Sequence, residues 1–238
     1  LKPKEWWENK FKQVAPNYKV EIIDKEELEG KGENPAKFIP SSPNGLTKIN
    51  FGSYICMNYH GWINHDIIDL TDWASRQGFK FLVCDVTKPL PHRDNSVDIL
   101  THSHLLEHLT REEGENFLLE CKRIMKDGAT MRITIPNSST IVWQYLNGKM
   151  KDWGEFNEEV DKADDDADAF WKLLTNNHKT AYDRQSLEQL LRKVGFTDVQ
   201  EKEFCRSSSK VIEEENIDYY PELSLYMEVT KTPKPRSA

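Results

Sequence analysis

The chain has few of the features that would place it in a membrane, in a secretory route or on nucleic acid. No apolar run approaches the roughly 20 residues that span a bilayer. No leader pattern is visible, in a chain that starts at Leu1 rather than Met. Cysteine is sparse: Cys56, Cys84, Cys121 and Cys205 are scattered, without C-x-x-C spacing. Cys84 and Cys121 fall in apolar patterns and read as small core residues, so a reducing cytoplasm is the simplest compartment. Positive charge is in deficit, with 32 Lys and Arg against 40 Asp and Glu and a net charge of -8. That disfavours a uniformly basic nucleic-acid surface, although a local basic patch is compatible with it. Internal repeats and low-complexity stretches are absent as well.

What is present is enough for one sizeable α/β domain: 238 residues, 37% hydrophobic and 30% charged. Residues 1–45 read as an extension, with an amphipathic helix over 1–15 (Trp6, Trp7 and Phe11 on one side) and a loop over 24–46. The domain itself covers 46–232, with an insertion at about 137–180 and a flexible tail at 233–238. Strands are expected at 47–52, 62–67, 80–85, 97–102 and 130–135, with helices near 69–77, 104–108 and 111–126 between them. Phe117, Leu118, Cys121 and Ile124 give the last helix its period, and Asp127-Gly128 is expected to end it. After the insertion come a helix over 186–194 closed by Gly195, and strands over 196–204 and 224–230. Strands alternating with helices imply a parallel sheet with right-handed crossovers.

Polar residues gather at the strand ends, where open α/β sheets bind ligands. Strand 1 runs into Asn50-Phe51-Gly52-Ser53-Tyr54, which holds a single glycine for the tight turn that a nucleotide-like cofactor needs. Strand 2 ends in Gly61-Trp62-Ile63-Asn64-His65-Asp66, followed by Ile67. A carboxylate there can accept hydrogen bonds from both ribose hydroxyls; the plainer reading is that Asp66 or Asp69 caps the next helix. Strand 3 ends in Cys84-Asp85-Val86-Thr87, where Asp85 is either a ligand contact or a solvated loop acid. Strand 4 runs into Thr101-His102-Ser103-His104-Leu105-Leu106-Glu107-His108-Leu109. An imidazole titrates near neutral pH, which makes His104 a candidate general base; satisfied or solvated histidines are the bland alternative.

Three of these segments resemble one subgroup of the class I S-adenosylmethionine-dependent methyltransferases. GWINHD is similar to its G-W-x-N-x-D, LPHRDNSVDIL to its L-P-F-x-D-N-S-V-D-x-I, and SHLLEHL to its S-S-H-x-L-E-H-L. Gly52 matches the first glycine of an N-L-G-C-G-like loop, Tyr54 stands at the second, and His92 replaces an aromatic. The resemblance implies a Rossmann-like methyltransferase fold: a mostly parallel seven-stranded sheet with an antiparallel last strand and helices on both faces. It implies S-adenosylmethionine as cofactor, bound by Asn50, Phe51, Gly52, Ser53 and Tyr54. Asp66 and Ile67 would meet the ribose, Asp85 and Val86 the adenine, and Ser103 and His104 the methionine part. His104 would orient or deprotonate the acceptor, with Glu107 and His108 structural. His178, in NHKTAYD, is the second candidate base, and Tyr182 and Arg206 are candidate substrate contacts. The implied reaction is methyl transfer to an oxygen, less readily a nitrogen, of a small-molecule or carbohydrate acceptor, with a homodimer as a possible assembly. No N-P-P-Y segment follows strand 4, which argues against amide and nucleobase amines as acceptors.

Two other readings stay open at this point. A catalytically silent member binding a ligand or partner enzyme draws support from Tyr54. A zinc hydrolase draws support from His104-x-x-Glu107-His108, which on a helix would put two imidazoles on one face with Glu107 as base. No downstream segment supplies a third ligand, so no metal is expected. The acidic run over 155–168 lacks EF-hand spacing and reads as a solvated helix face. Trp153, Phe156, Phe170 and Trp171 are expected to line or anchor a cover over the site.

Overall fold

The computed structural model describes residues 45–233, apart from 55, 57, 59, 60, 154–157 and 176. The expected helix over 1–15 and Phe156 lie outside the described residues. Seven strands form one sheet: β1 Lys48–Phe51, β2 Trp62–Asp66, β3 Lys80–Val83, β4 Val97–Ser103, β5 Met125–Pro136, β6 Asp198–Lys202 and β7 Ser224–Thr230. Their order is β3-β2-β1-β4-β5-β7-β6, and only β7 runs against its neighbours. This is the mostly parallel, Rossmann-like methyltransferase architecture, and the strand order reverses between β1 and β4. Their carboxyl ends therefore open a crevice at the switch point.

Helices cover both faces. On one face α2 (Arg111–Ile124) and α6 (Arg184–Val194) press Phe117, Leu118, Leu187 and Leu191 onto Ile49, Leu100, Met131 and Ile133. On the other, α1 (Thr71–Gln77) packs Leu70 and Trp73 against Phe79 and Phe81, and α7 (Lys210–Glu215) packs Ile212 against Trp62 and Ile99. Cys84 and Cys121 are buried as expected, and all four cysteines are free thiols. The caps are written in the sequence. Thr110 and Glu113 form a capping box at α2, and Asp183 and Ser186 form one at α6, which starts that helix at Arg184 rather than Ser186. Gly195 closes α6 in the left-handed conformation.

The insertion has its own small core. Helices α3 (Ser138–Leu146), α4 (Glu158–Asp161) and α5 (Asp166–Thr175) gather Ile141, Met150, Val160, Ala169 and Leu173 around Leu223. Phe170 stacks on Tyr145 at 4.7 Å between ring centroids and so anchors the insertion, whereas Trp171 is largely exposed.

Three expected boundaries moved. Helix α2 stops at Ile124, and Met125 already has extended geometry (φ -63, ψ 140). Gly128, at φ 82, lies inside β5, where its N–H donates to the Lys231 carbonyl; it bends a strand instead of ending a helix. Strand β3 ends at Val83 because Asp85 turns the chain, accepting from Thr87 N and Oγ1. The helix expected over 104–108 is a single 3-10 turn, Leu106–His108, because His104 sits at φ 49 and cannot join it. The last two strands do pair antiparallel, Asp198 opposite Thr230, across the long segment 203–223.

Candidate active site

The ends of β1, β2 and β4 enclose a cavity of about 440 Å³, within the range of about 300–1,000 Å³ usual for small-molecule sites. Its floor is the turn after β1. Gly52 has φ 66, and a Cβ there would meet the Leu105 side chain at 3.0 Å, so any other residue would be both strained and crowded. Tyr54 also takes positive φ, at 38, and its side chain is partly exposed at the cavity. The backbone at Tyr54 thus adopts the shape a second glycine would provide. A polar network stiffens this floor: Asn50 Nδ2 donates to Asn64 Oδ1 at 3.0 Å, and Asn58 N donates to the same oxygen at 2.8 Å.

Asp66 stands at the end of β2, almost wholly buried. Its Oδ2 accepts from Tyr54 N at 2.7 Å and its Oδ1 from Ile68 N at 3.0 Å. Two backbone donors fix the carboxylate in place, and a carboxylate has about four acceptor sites, so room remains for two hydroxyls. Neither Asp66 nor Asp69 is the N-cap of α1, a position held by Leu70; Asp69 Oδ1 accepts from Thr71 N just ahead of it. Ile67, Ser53 and Ser103 line the cavity with these groups.

His104 faces the cavity from the end of β4. Its Nε2 lies 3.0 Å from Ser224 Oγ and its Nδ1 lies 3.3 Å from Glu107 Oε1. Glu107 is 2% exposed, and neither of its carboxylate oxygens has a well-aligned hydrogen-bond donor among the described residues. Burial pushes the Glu107 carboxyl up, but the imidazoles of His104 and His108 outweigh it and hold the group below its usual range. Tyr220, at φ 58, lies edge-on to the His104 ring at 5.2 Å. Tyr54, His104 and Tyr220 are three non-glycine residues with left-handed backbone around one cavity, the clustering of strained conformations that marks functional sites. Cys56 lines the same space, and burial pushes its thiol up to about 11.

Several expected residues do not reach this cavity. Phe51 is fully buried, its ring against His65 and Phe117, because alternation along β1 turns Asn50 and Phe51 to opposite faces. Asp85 and Val86 stand outside it, with Asp85 committed to its turn. Tyr182 is 1% exposed and faces the core beneath Arg111, whose guanidinium lies 4.4 Å from the ring. Arg206 points to Glu213 at 3.3 Å. His178 stands beside His108, 4.9 Å between ring centroids, rather than at the cavity wall, and burial pulls its imidazole down. The paired His104 and His108 ligands of the zinc-hydrolase reading are not formed: with no helix through both, His104 turns to Ser224 and His108 Nδ1 to the Asn177 carbonyl at 3.2 Å.

The sequence reading missed the roof. Ile217, Tyr219 and Tyr220 descend into the cavity from segment 203–223. Arg132, fully buried on β5, holds that segment. Its Nε donates to Asp218 Oδ1 at 3.0 Å, its Nη2 to Asp218 Oδ2 at 2.5 Å, and its Nη1 to the Arg206 carbonyl at 2.9 Å. A second anchor joins Lys48 Nζ to Glu215 Oε1 at 2.6 Å, with Trp62 Nε1 donating to the same carboxylate. Asn64 was in view as part of a motif; Asp218 and Glu215 carried no local signal.

The carboxylate at one end, the glycine turn in the floor and the imidazole facing the other end fit a nucleoside-bearing cofactor with a reactive group near His104. Residues 64–133 match the family model of a methyltransferase domain. No curated protein matches the chain. Among solved structures, it is similar to a SAM-dependent methyltransferase from Archaeoglobus fulgidus, at 18% identity and TM-score 0.52, covering 96% of this chain and 95% of that one. It is also similar to a complex between the Haloferax volcanii Trm112 methyltransferase activator and the putative methyltransferase, at 13% identity and TM-score 0.52, covering 81% and 85%. At those identities the structural matches speak to the fold.

Proposed function

We propose that this chain, which carries an S-adenosylmethionine-dependent methyltransferase domain of the class I fold, transfers a methyl group to an oxygen, less readily a nitrogen, of a small-molecule or sugar-like acceptor. When bound, S-adenosylmethionine supplies an electrophilic methyl carbon on a sulfonium. The residues of the chain do the rest. Asp66, fixed by two backbone N–H groups, accepts the ribose hydroxyls. Gly52 and Tyr54 carry the backbone close to the cofactor, with Asn50, Ser53 and Ile67 beside it and Ser103 at the methionine end. Asp85 and Val86 are assigned to the adenine end; since neither lines the cavity, that assignment rests on the motif.

The observation that carries the reading is the Glu107–His104–Ser224 series at the cavity wall. His104 Nδ1 lies 3.3 Å from Glu107 Oε1 and its Nε2 lies 3.0 Å from Ser224 Oγ, while the residue itself lines the cavity. An acceptor hydroxyl would take over the contact with Nε2 that Ser224 Oγ makes here. An acceptor in that place would give its proton to Nε2 as its oxygen attacks in line, and positioning would supply much of the acceleration. The roof tyrosines give the acceptor side an aromatic, hydroxyl-bearing wall suited to small polyols and sugars. The net charge of -8 argues against bulk nucleic acid. The free thiols of all four cysteines support a reducing compartment, and among the described residues no helix is long and apolar enough to cross a membrane.

The test is turnover. S-adenosylhomocysteine formation is measured with a panel of hydroxylated small molecules and sugars. His104→Asn is expected to lower kcat by roughly 10²–10⁴-fold while calorimetric binding of S-adenosylhomocysteine stays unchanged. Undiminished turnover in that variant would remove His104 from the reaction. Binding without turnover on any acceptor would favour a silent, ligand-binding member.

A further inference from the structure

Glu107, His108 and His178 each offer a ligand atom, and these atoms all lie within 4.8 Å of one another. His178 is far in sequence from the adjacent Glu107 and His108, and backbone holds them together: Lys179 N donates to the Glu107 carbonyl at 2.8 Å, and Thr180 N to the same oxygen at 3.1 Å. Thr180 Oγ1 adds a bond to the Leu109 carbonyl at 3.1 Å. The loop carrying His178 is therefore pinned to the turn carrying Glu107 and His108, and the three groups meet by construction.

Two of the three side chains, His108 and Glu107, are prepared in the manner of a metal ligand. His108 Nδ1–H donates to the Asn177 carbonyl, which leaves Nε2 with its lone pair. Backbone carbonyls fix the tautomer of metal-binding histidines in just this way. His178 sets its ring edge-on to that of His108, 4.9 Å between centroids. Glu107 is 2% exposed, and its carboxylate lacks a well-aligned hydrogen-bond donor among the described residues. A buried carboxylate left so poorly satisfied is costly unless a cation balances it. Its Oε1 leans to His104 at 3.3 Å, so Oε2 is the oxygen left for an ion.

We propose that Glu107, His108 and His178 bind one divalent cation of the Zn²⁺ class. Two imidazoles and one carboxylate suit zinc and its neighbours better than Mg²⁺ or Ca²⁺, which prefer all-oxygen sites. Bonds of about 2.1 Å put tetrahedral ligands roughly 3.4 Å apart. Binding therefore draws the three groups inward by side-chain rotation. Three protein ligands leave a fourth position open, and His108 also lines the cavity, so the open position faces the acceptor side. There the ion would polarise an acceptor oxygen beside His104. This assignment differs from a protease-type site in using His178 in place of His104 and in making Glu107 a ligand.

The site is tested on full-length, chelator-treated protein without S-adenosylmethionine, so the result is independent of methyl transfer. Zn²⁺ is titrated in competition with a chromogenic chelator, and Co²⁺ is substituted for absorption spectroscopy. One equivalent of Zn²⁺ is expected, with visible Co²⁺ bands of low coordination number. Loss even of outer-sphere partners costs roughly 10–100-fold in metal affinity; His178→Ala and Glu107→Gln, as ligand losses, are expected to cost at least 100-fold. His92→Ala, a histidine outside the cluster, is the matched control. The proposal is overturned by the absence of stoichiometric Zn²⁺ binding to the wild type, by octahedral Co²⁺ bands, or by unchanged affinity in a folded His178→Ala protein. Should that variant unfold, the wild-type titration and spectrum still decide.

Discussion

Single residues in this protein are placed by hydrogen bonds that can be counted, and that makes them testable. Asp66→Ala removes the acceptor proposed for the ribose hydroxyls, together with two backbone tethers. Calorimetric affinity for S-adenosylhomocysteine should fall by the equivalent of about 1–3 kcal/mol; unchanged affinity would move the ribose elsewhere. His102 is the opposite kind of residue. It is fully buried against Phe117, at 5.3 Å between ring centroids, and neither ring nitrogen has a partner among the described residues. An unsatisfied buried polar group costs about 1–3 kcal/mol, so His102→Leu, similar in volume, should unfold in urea at a midpoint no lower than wild type at pH 7. A clear loss of stability would mean that a bound water or proton role at His102 has been overlooked.

At the scale of elements, legibility followed locality. β1, β2 and β4 could be read because each is a short apolar run ending in polar residues, and α6 because its cap, apolar stripe and closing glycine are contiguous. The α2–β5 boundary could not, because KRIMKDG continues an amphipathic helical pattern while its fate is settled by Lys231, which pairs with Gly128 from the far end of the chain. The same holds within the site. Gly52 and Asp66 announce themselves beside their strands, whereas the meeting of Glu107 with His178 and of Arg132 with Asp218 depends on how loops cross. Arg132 did leave a trace, a charge inside the apolar run MRITIP, since a buried guanidinium demands a partner. That partner supports a prediction for the roof. Asp218→Ala leaves the buried Arg132 guanidinium with Glu228, 3.9 Å away, as its remaining carboxylate; removing the bidentate partner should cost up to about 3–5 kcal/mol, read as a lowered urea midpoint. Replacing Arg132 and Asp218 together with apolar residues should recover much of that loss; no recovery would show that the carbonyl contacts of Arg132, rather than the charge pair, carry the roof.

At the scale of the whole molecule, three histidines make the fold sensitive to acid. Burial, with the neighbouring His92 adding to it, pulls His65 down to about 3; burial, with Arg123 nearby, pulls His92 down to about 4; and burial pulls His102 down to about 4. His65 and His92 share a contact, 2.9 Å between their Nε2 atoms, and titrate as a pair. Each is neutral in the folded protein at pH values where the unfolded chain, with a histidine pKa near 6.5, is already taking up protons. Folding therefore keeps its full contribution from these groups above about pH 6.5, and loses it as the pH falls toward 4. Each histidine adds at most about 1.4 kcal/mol per pH unit to that slope. Urea unfolding at pH 7.5, 6 and 5 should show stability dropping most steeply between the last two, with a shallower drop in His102→Leu. A flat profile down to pH 5 would contradict the neutral, buried state of these rings.

The two anchors beneath the roof separate two kinds of inheritance. Arg132 and Lys48 belong to the sheet, and they grip segment 203–223 through Asp218, Glu215 and two main-chain carbonyls. Tyr219 and Tyr220 are tied to β7 by their main chain, Tyr226 Oη donating to the Tyr219 carbonyl at 2.6 Å and Ser224 N to the Tyr220 carbonyl at 3.1 Å, and both line the cavity. Contacts made by main-chain atoms do not depend on side-chain identity, so descendants of this chain can vary the aromatic wall and what the cavity admits without touching the Arg132 and Lys48 anchors, with a change at Tyr220 felt also at the His104 ring beside it.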